Sequence, residues 1–376
     1  YLRDTASSKK LNYIEVTGTI PAADLKGKDW IPSKLGDLMR KEKQKKIALR
    51  LPKNIEGLTD MSDCFASCKN LISLESIPEG VSNMEGCFAG CKNLTTAPAI
   101  PEGVTDMYKC FAGCISLTTA PAIPEGVSNM YKCFAGCISL TTAPAIPEGV
   151  SNMEDCFAGC KSLTTAPSIS EGVTDMSGCF WGCESLTAAP DIPASVISMS
   201  SCFEGCTSLT AAPDIPASVI SMSSCFEDCT SLTAAPAIPE GVTDMSGCFW
   251  GCESLTAAPA ISEGVSNMSG CFAGCISLTA APAIPASVID MSGCFRGCTE
   301  LTGVTLKCNY RAGSFDNAFE NCTALADGGI KVPNEYLQNY KDNAATMGRK
   351  GKVCGNHPLT SAKLMTSATQ TRLADS

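Results

Sequence analysis

The sequence is short of the residues on which most catalysts and most large cores rely. It has one histidine, His357, among 376 residues. A Ser-His-Asp or Cys-His arrangement needs an imidazole beside its nucleophile, and His357 stands alone in a polar C-terminal segment. Aromatic residues make up 6% although hydrophobic residues reach 44%. The core is therefore expected to be assembled from Cys, Ala, Val, Leu, Ile and Met, with little ring bulk. Basic residues number 28 against 38 acidic ones, for a formal charge of −10. The imbalance is concentrated: Met61 to Cys298 holds 23 acidic and six basic side chains, a net of −17. Such an array repels phosphate, which argues against nucleic acid or an anionic membrane surface as the main partner. No apolar run is long enough for a transmembrane helix, and no Gly-rich phosphate loop is present. Tyr1 opens the chain with neither an initiator Met nor an apolar leader, as expected of a mature or trimmed form.

What is abundant is cysteine, 25 in all, and its placement is periodic. The first Cys of each unit falls at 64, 87, 110, 133, 156, 179, 202, 225, 248, 271 and 294. A second follows four residues later, from Cys68 to Cys298, and a Met stands three residues before each first Cys, from Met61 to Met291. Only Cys308, Cys322 and Cys354 lie outside the pattern. Some copies are identical: Tyr108 to Met130 repeats as Tyr131 to Met153, and Glu171 to Pro190 repeats as Glu240 to Pro259. A fixed period of this length marks a solenoid, in which each coil buries its apolar face only by stacking on its neighbours. At a rung spacing near ~4.8 Å, eleven coils would make a rod or shallow arc on the order of 50 Å long.

The unit running from Cys114 to Cys137 shows the expected coil. Leu117 to Pro124 is the strand candidate, with Leu117, Ala120 and Ile123 inward and Thr118, Thr119 and Pro121 more exposed. Pro121 has no ladder donor, so a bulge or early strand end is expected at the same height in every coil. Glu125-Gly126 makes the turn, and Val127 and Met130 re-enter the core. Cys133-Phe134-x-x-Cys137 closes the coil as one short helical or 3-10 turn, with Ala135 outward. The pattern divides the chain into an N-terminal cap (1–58), eleven repeats (59–298), a degenerate last repeat with a C-terminal cap (299–347) and a disordered tail (348–376). In the first cap, Leu11 to Val16 alternates like a strand, and Pro32 to Lys45 reads as a helix with Leu35, Leu38 and Met39 on one face. Ile47 to Pro52 reads as the first sheet strand. Arg40, Lys41, Lys43, Lys45, Lys46, Arg50 and Lys53 form a basic run, expected to be a solvated helix face before a contact site. In the second cap, Ala318 replaces the first Cys, and Ile330 to Pro333 with a helix around Glu335 to Ala345 would close the stack.

The frame Leu-Thr-x-Ala-Pro-x-Ile-Pro-x-x-Val-x-x-Met-x-x-Cys-Phe-x-x-Cys resembles the BspA-like leucine-rich repeats, also called the Treponema pallidum class. The resemblance covers roughly Leu49 to Pro333, and Leu11 to Asp24 and Ile330 to Pro333 with Tyr340 look like the family's caps. The sequence departs in having Cys where the family usually has Ala before Phe, Met for Ile, and one extra residue around the strand Pro. The resemblance implies a right-handed leucine-rich-repeat coil, with short parallel strands on one face and helical or 3-10 turns on the other. It also implies a secreted or surface-exposed microbial protein that adheres to host or microbial proteins or glycans.

Two sets of residues could carry chemistry or recognition. C-x-x-x-C pairs without His are a poor zinc signal, and a pair inside one turn seldom has disulfide geometry. Bridges between rungs remain open, but the leading reading is two columns of buried free thiols acting as small hydrophobes. Glu102, Glu125 and Glu148 recur along a solvated edge and do not converge in one cleft, as a glycosidase requires. Asp106, Asp175 and Asp244 are at most weak cation ligands. No enzyme activity, cofactor or metal site is therefore expected. Trp181 and Trp250 occupy an outward slot where other units carry Ala, Glu or Arg, and exposed Trp is typical of binding hot spots. Tyr108 and Tyr131 on adjacent units, and the polar face of Thr118, Thr119, Thr141 and Thr142, are further candidates for partner binding. Against each stands the plainer reading that the aromatics pack on neighbouring coils. Three functions follow: a surface binding protein, a structural spacer, or, with least support, a metal-binding array.

Overall fold

A coil of 23 residues has one apolar edge, and that edge is buried only when another coil lies on it. The computed structural model of the chain describes residues 10–42, 44–348 and 352–355, and it is a stack of such coils. At the N-terminal end, β1 (Asn12–Glu15) precedes helix α1 (Lys34–Lys41), then β2 (Ile47–Arg50) and β3 (Leu71–Leu74). The three strands form a parallel sheet in chain order. Ile47 to Arg50 is thus the second strand of the sheet, because β1 already lies on its outer edge.

Helix α1 seals the open end of the stack. Its N-cap Ser33 accepts from the Gly36 amide at 3.1 Å and donates to the Cys64 carbonyl at 2.9 Å, which satisfies one orphan helix donor and ties the cap to the first rung. A β-carbon on Gly36 would strike that same carbonyl, so only glycine allows the contact. Asp37 lies in the first turn and Arg40 and Lys41 in the last, the arrangement the helix dipole favours. Leu38, expected on the buried face, is 60% exposed. The face is centred between Leu35, Gly36 and Met39, and about 100° per residue carries Leu38 off it. Four of the seven basic side chains of the run make local pairs: Arg40 and Lys41 with Asp37, Lys45 with Glu42, and Arg50 with Glu15 and Glu75. Lys43 lies outside the described residues.

Regular strands return only at the other end: β4 (Ala283–Ile284), β5 (Val304–Leu306), β6 (Ile330–Val332) and, after α2 (Leu337–Asp342), β7 (Val353–Gly355). Between the two sheets the strand edge is reduced to single bridges such as Thr119 to Thr142 and Ala211 to Ala234. The cause is the mid-strand proline. Coils with Pro98, Pro121 or Pro144 lack the next ladder donor, whereas β3 and β5 have Glu75 and Thr305 in that slot and remain regular. The expected early strand end is therefore found. Val353–Gly355 corrects the expectation of a disordered tail from 348 onward, because it adds a parallel strand to β6; His357 lies outside the described residues.

A second bridge column, one residue before each Met, runs unbroken from Asp60 to Asp290. Here the Cys-Phe-x-x-Cys segment makes a rung that is neither strand nor helix. Cys110, Ala112 and Cys114 donate to carbonyls three residues back, as a 3-10 turn would. The alternate amides of Met107, Lys109, Phe111 and Gly113 instead donate to the next coil at 2.6–3.1 Å. The expected helical continuation is broken because Lys109 and Gly113 have φ of 52° and 71°, the third position of type II turns. Consecutive Phe rings from Phe65 to Phe319 stack 5.3–5.8 Å apart. At the far end Tyr340 of α2 is fully buried, donates to the Cys308 carbonyl at 3.0 Å and packs edge-on against Tyr310 and Phe315.

Candidate interaction surface

Both cysteine columns face the core. Every Cys from Cys64 to Cys298 is fully buried and free. The second of each pair donates its S–H to a backbone carbonyl: Cys68 to Gly36 of α1, and Cys114 and Cys137 to the Phe of the preceding rung at 3.2 Å. Burial pushes the thiols of Cys137 and Cys206 up to about 12. Metal binding and nucleophilic attack use the thiolate, and this environment holds the thiol form. Among the described residues no group of three or more His, Cys, Asp or Glu side chains converges as a metal site.

Asp106, Asp175 and Asp244 have local partners. Their carboxylates accept the amides of Tyr108, Ser177 and Ser246 two residues on, each at 2.9 Å. This Asx turn leads the chain into the Cys-Phe segment, and Asn129, Asn152 and Asn267 do the same on other rungs.

The aromatic and threonine candidates lie on different surfaces. Thr118, Thr119, Thr141 and Thr142 are exposed along the bridge column of the strand edge. Thr141 Oγ1 donates to the Thr118 carbonyl at 3.2 Å, so one hydroxyl per rung serves the stack itself. Tyr108, Tyr131, Trp181 and Trp250 project from the opposite segment of the coil, around the Cys-Phe turns. Tyr108 and Tyr131 stack at 5.1 Å and are half-buried. Lys109 lies 4.7 Å from the Tyr108 ring and 4.8 Å from that of Trp30. Lys132 lies over Tyr131 and pairs with Asp155 at 3.1 Å; its hydrogen bond with Tyr131, then that with Asp155, holds its ammonium above the ordinary range. These rings are occupied by the protein's own cations. Trp30, which sequence reasoning passed over, belongs to this cluster, and only its fold-back from the N-terminal cap brings it there. The signal was a lone Trp beside Asp29, and nothing in its spacing pointed to Lys109.

Trp181 and Trp250 are half exposed, at 49% and 50%. They stand on rungs three units apart in the same slot. Around Trp250 the surface dips into a depression of about 400 Å³, lined by Ser246, Ser269, Ser292, Glu227 and Arg296 among others. Glu227 is held above the usual carboxylate range by burial first, then by Glu204 and Asp228. The serines were not singled out from the sequence, although six in succession, from Ser177 to Ser292, occupy the slot two residues before the first Cys.

Comparison with known proteins returns the same architecture. A family model for the BspA type leucine rich repeat region, in six copies, matches residues 59–187, 130–256 and 222–341. Among solved structures, a leucine-rich repeat protein from Bacteroides ovatus is 21% identical with a TM-score of 0.56, covering 82% of this chain and 83% of that one. A leucine rich cell surface protein from Faecalibacterium prausnitzii is 20% identical over 92% of this chain and 96% of its own, with a TM-score of 0.45. Pneumococcal vaccine antigen PcpA is 12% identical over 84% and 80%, with a TM-score of 0.46. No curated protein sequence matches. The Bacteroides likeness shows the fold alone.

Proposed function

The chain belongs to the BspA-type leucine-rich-repeat family, and on that premise we propose that it is a non-enzymatic binding protein of the cell surface or extracellular space. Its partner is a protein or glycan on host cells or neighbouring microbes, met by the turn face of the stack. The observation that carries this reading is the pair of half-exposed tryptophans in one slot of a rigid array. Half of each indole stays in water, where its apolar surface adds nothing to stability, and Trp is enriched where interfaces concentrate their energy. Two relatives in structure are described as a cell surface protein and a vaccine antigen, which agrees with a surface location. Among the described residues no helix is long and apolar enough to cross a membrane.

A second reading, a spacer that projects another part from the surface, is favoured by the identical copies such as Tyr108 to Met130 and Tyr131 to Met153. One experiment separates them. The Trp181→Ala, Trp250→Ala double variant should keep its circular dichroism and melting temperature yet lose at least about tenfold in adhesion to host cells or matrix, as removal of a hot spot does. Adhesion equal to wild type would favour the spacer.

A further inference from the structure

The two tryptophans share a slot but keep different company. On the rung after Trp181 the slot holds Glu204, whose carboxylate accepts from Trp181 Nε1 at 3.0 Å. On the rung after Trp250 it holds Ala273, and among the described residues nothing accepts from Trp250 Nε1. The Trp250 indole lies instead beside the bare backbone of the next rung, where a β-carbon on Gly270 would sit 3.6 Å from the ring. Half of the side chain stays open to solvent above the 400 Å³ depression. Ser246, Ser269 and Ser292 place one hydroxyl on each rung. That of Ser246 is shared with Ser223 at 3.1 Å, and that of Ser292 donates to Asp290 at 2.9 Å while its oxygen can still accept. Glu227 offers acceptors and Arg296 offers donors, its Nε already fixed on Glu320 at 2.7 Å.

We propose that this trough binds a neutral, linear glycan chain, with one sugar ring stacked on the open face of Trp250. The inference rests on the reading of the chain as a binding protein. A pyranose presents a face of C–H groups and a rim of hydroxyls. The first suits an indole that is apolar on its face and polar at its N–H edge, and the second suits a row of hydroxyl, carboxylate and guanidinium groups. Along this part of the stack the Phe rings of successive rungs lie 5.5–5.8 Å apart. That step is comparable to one sugar of an extended chain, so successive residues of a linear glycan meet Ser246, Ser269 and Ser292 in turn. Charge selects among glycans: Glu171 to Cys298 holds 13 acidic side chains and one basic, a net of −12. A sulfated or sialylated chain is repelled there. A protein partner would want a pocket for an anchoring side chain, and the trough is open and lined chiefly by serine, glycine and alanine around Trp250, without such a pocket.

The full chain is to be applied to an array of linear neutral oligosaccharides of glucose, N-acetylglucosamine, xylose and mannose, with sialylated and sulfated glycans alongside, and hits measured by calorimetry. At least one neutral class should bind, and Trp250→Ala should weaken it at least tenfold. Ala273→Glu, which recreates the partner that occupies Trp181, should weaken it comparably at an unchanged melting temperature, whereas Glu204→Ala should not. Absence of any neutral binder, preference for acidic glycans, or binding indifferent to both Trp250→Ala and Ala273→Glu would overturn the proposal. Loss of host-cell adhesion in the double tryptophan variant without glycan binding would remove the glycan and leave the binding protein. Glycan binding that survives Trp250→Ala would remove the trough alone.

Discussion

The second cysteine of each rung is a hydrogen-bond donor as much as a hydrophobe. A buried S–H that reaches the preceding Phe carbonyl fixes one rung to the next, and burial keeps the proton on sulfur. Alkylation of the native protein at about pH 8 should therefore reach Cys354 at most, the one cysteine that is not fully buried, since the reagent needs thiolate. In denaturant without reductant all 25 should label; a shortfall would mean that some are oxidised. The residue before each first Cys poses a different constraint. It has positive φ whether it is Gly178 or Gly247, Lys109, Ser201 or Ser224, and a left-handed residue other than glycine costs roughly 1–2 kcal/mol, partly offset by glycine's greater freedom when unfolded. Ser201→Gly should raise stability by up to about 1 kcal/mol, and Gly247→Ala should lower it by about 1 kcal/mol, both read from denaturant midpoints.

Helix α1 contributes more as a lid than as a helix. It is eight residues long, too short to hold alone, and it persists because Ser33, Gly36 and Met39 meet the first rung. Gly36→Ala should lift it from that rung and destabilise the protein by about 2 kcal/mol or more. Amide exchange should rise first in Lys34–Lys41 and the Cys64–Cys68 turn, and uniform protection across both would count against the lid. The thin strand edge follows the same logic of single residues. Proline at one height removes a donor per coil, so the second bridge column and the alternate amides of the Cys-Phe rung carry the stack.

Across the whole molecule, stacking sets like charges in register. Glu85, Glu154 and Glu227 are each held above the usual carboxylate range by burial first and by neighbouring acids second. A carboxyl whose folded pKa is raised binds protons more tightly in the folded state, so stability should grow as pH falls from 7 toward about 5. Asp37 and Asp327, lowered by hydrogen bonds to Lys41 and Lys352 respectively, act the other way; what they contribute is lost as pH drops through their folded values, below about 4. The melting temperature should therefore peak in mild acid, and added salt should raise it at pH 7 by screening the array. A melting temperature that falls monotonically from pH 7 would refute this account.

The period alone determined the stack, its buried columns and the outward slot of Trp181 and Trp250, because a 23-residue repeat leaves each residue type one place in the coil. The proline likewise foretold the short strands, through a donor it does not have. What the tertiary structure decided depends on the next rung. The same Cys-Phe segment could close as a helical turn, but its alternate amides are claimed by the neighbouring coil, and Lys109 is forced to positive φ. Val353–Gly355 looked patternless because its ladder partner, β6, is more than 20 residues away in sequence. The two tryptophans were equivalent in sequence, since their units are copies. Only the side chain on the rung above each, Glu204 for one and Ala273 for the other, decides that Trp181 is tied and Trp250 is open.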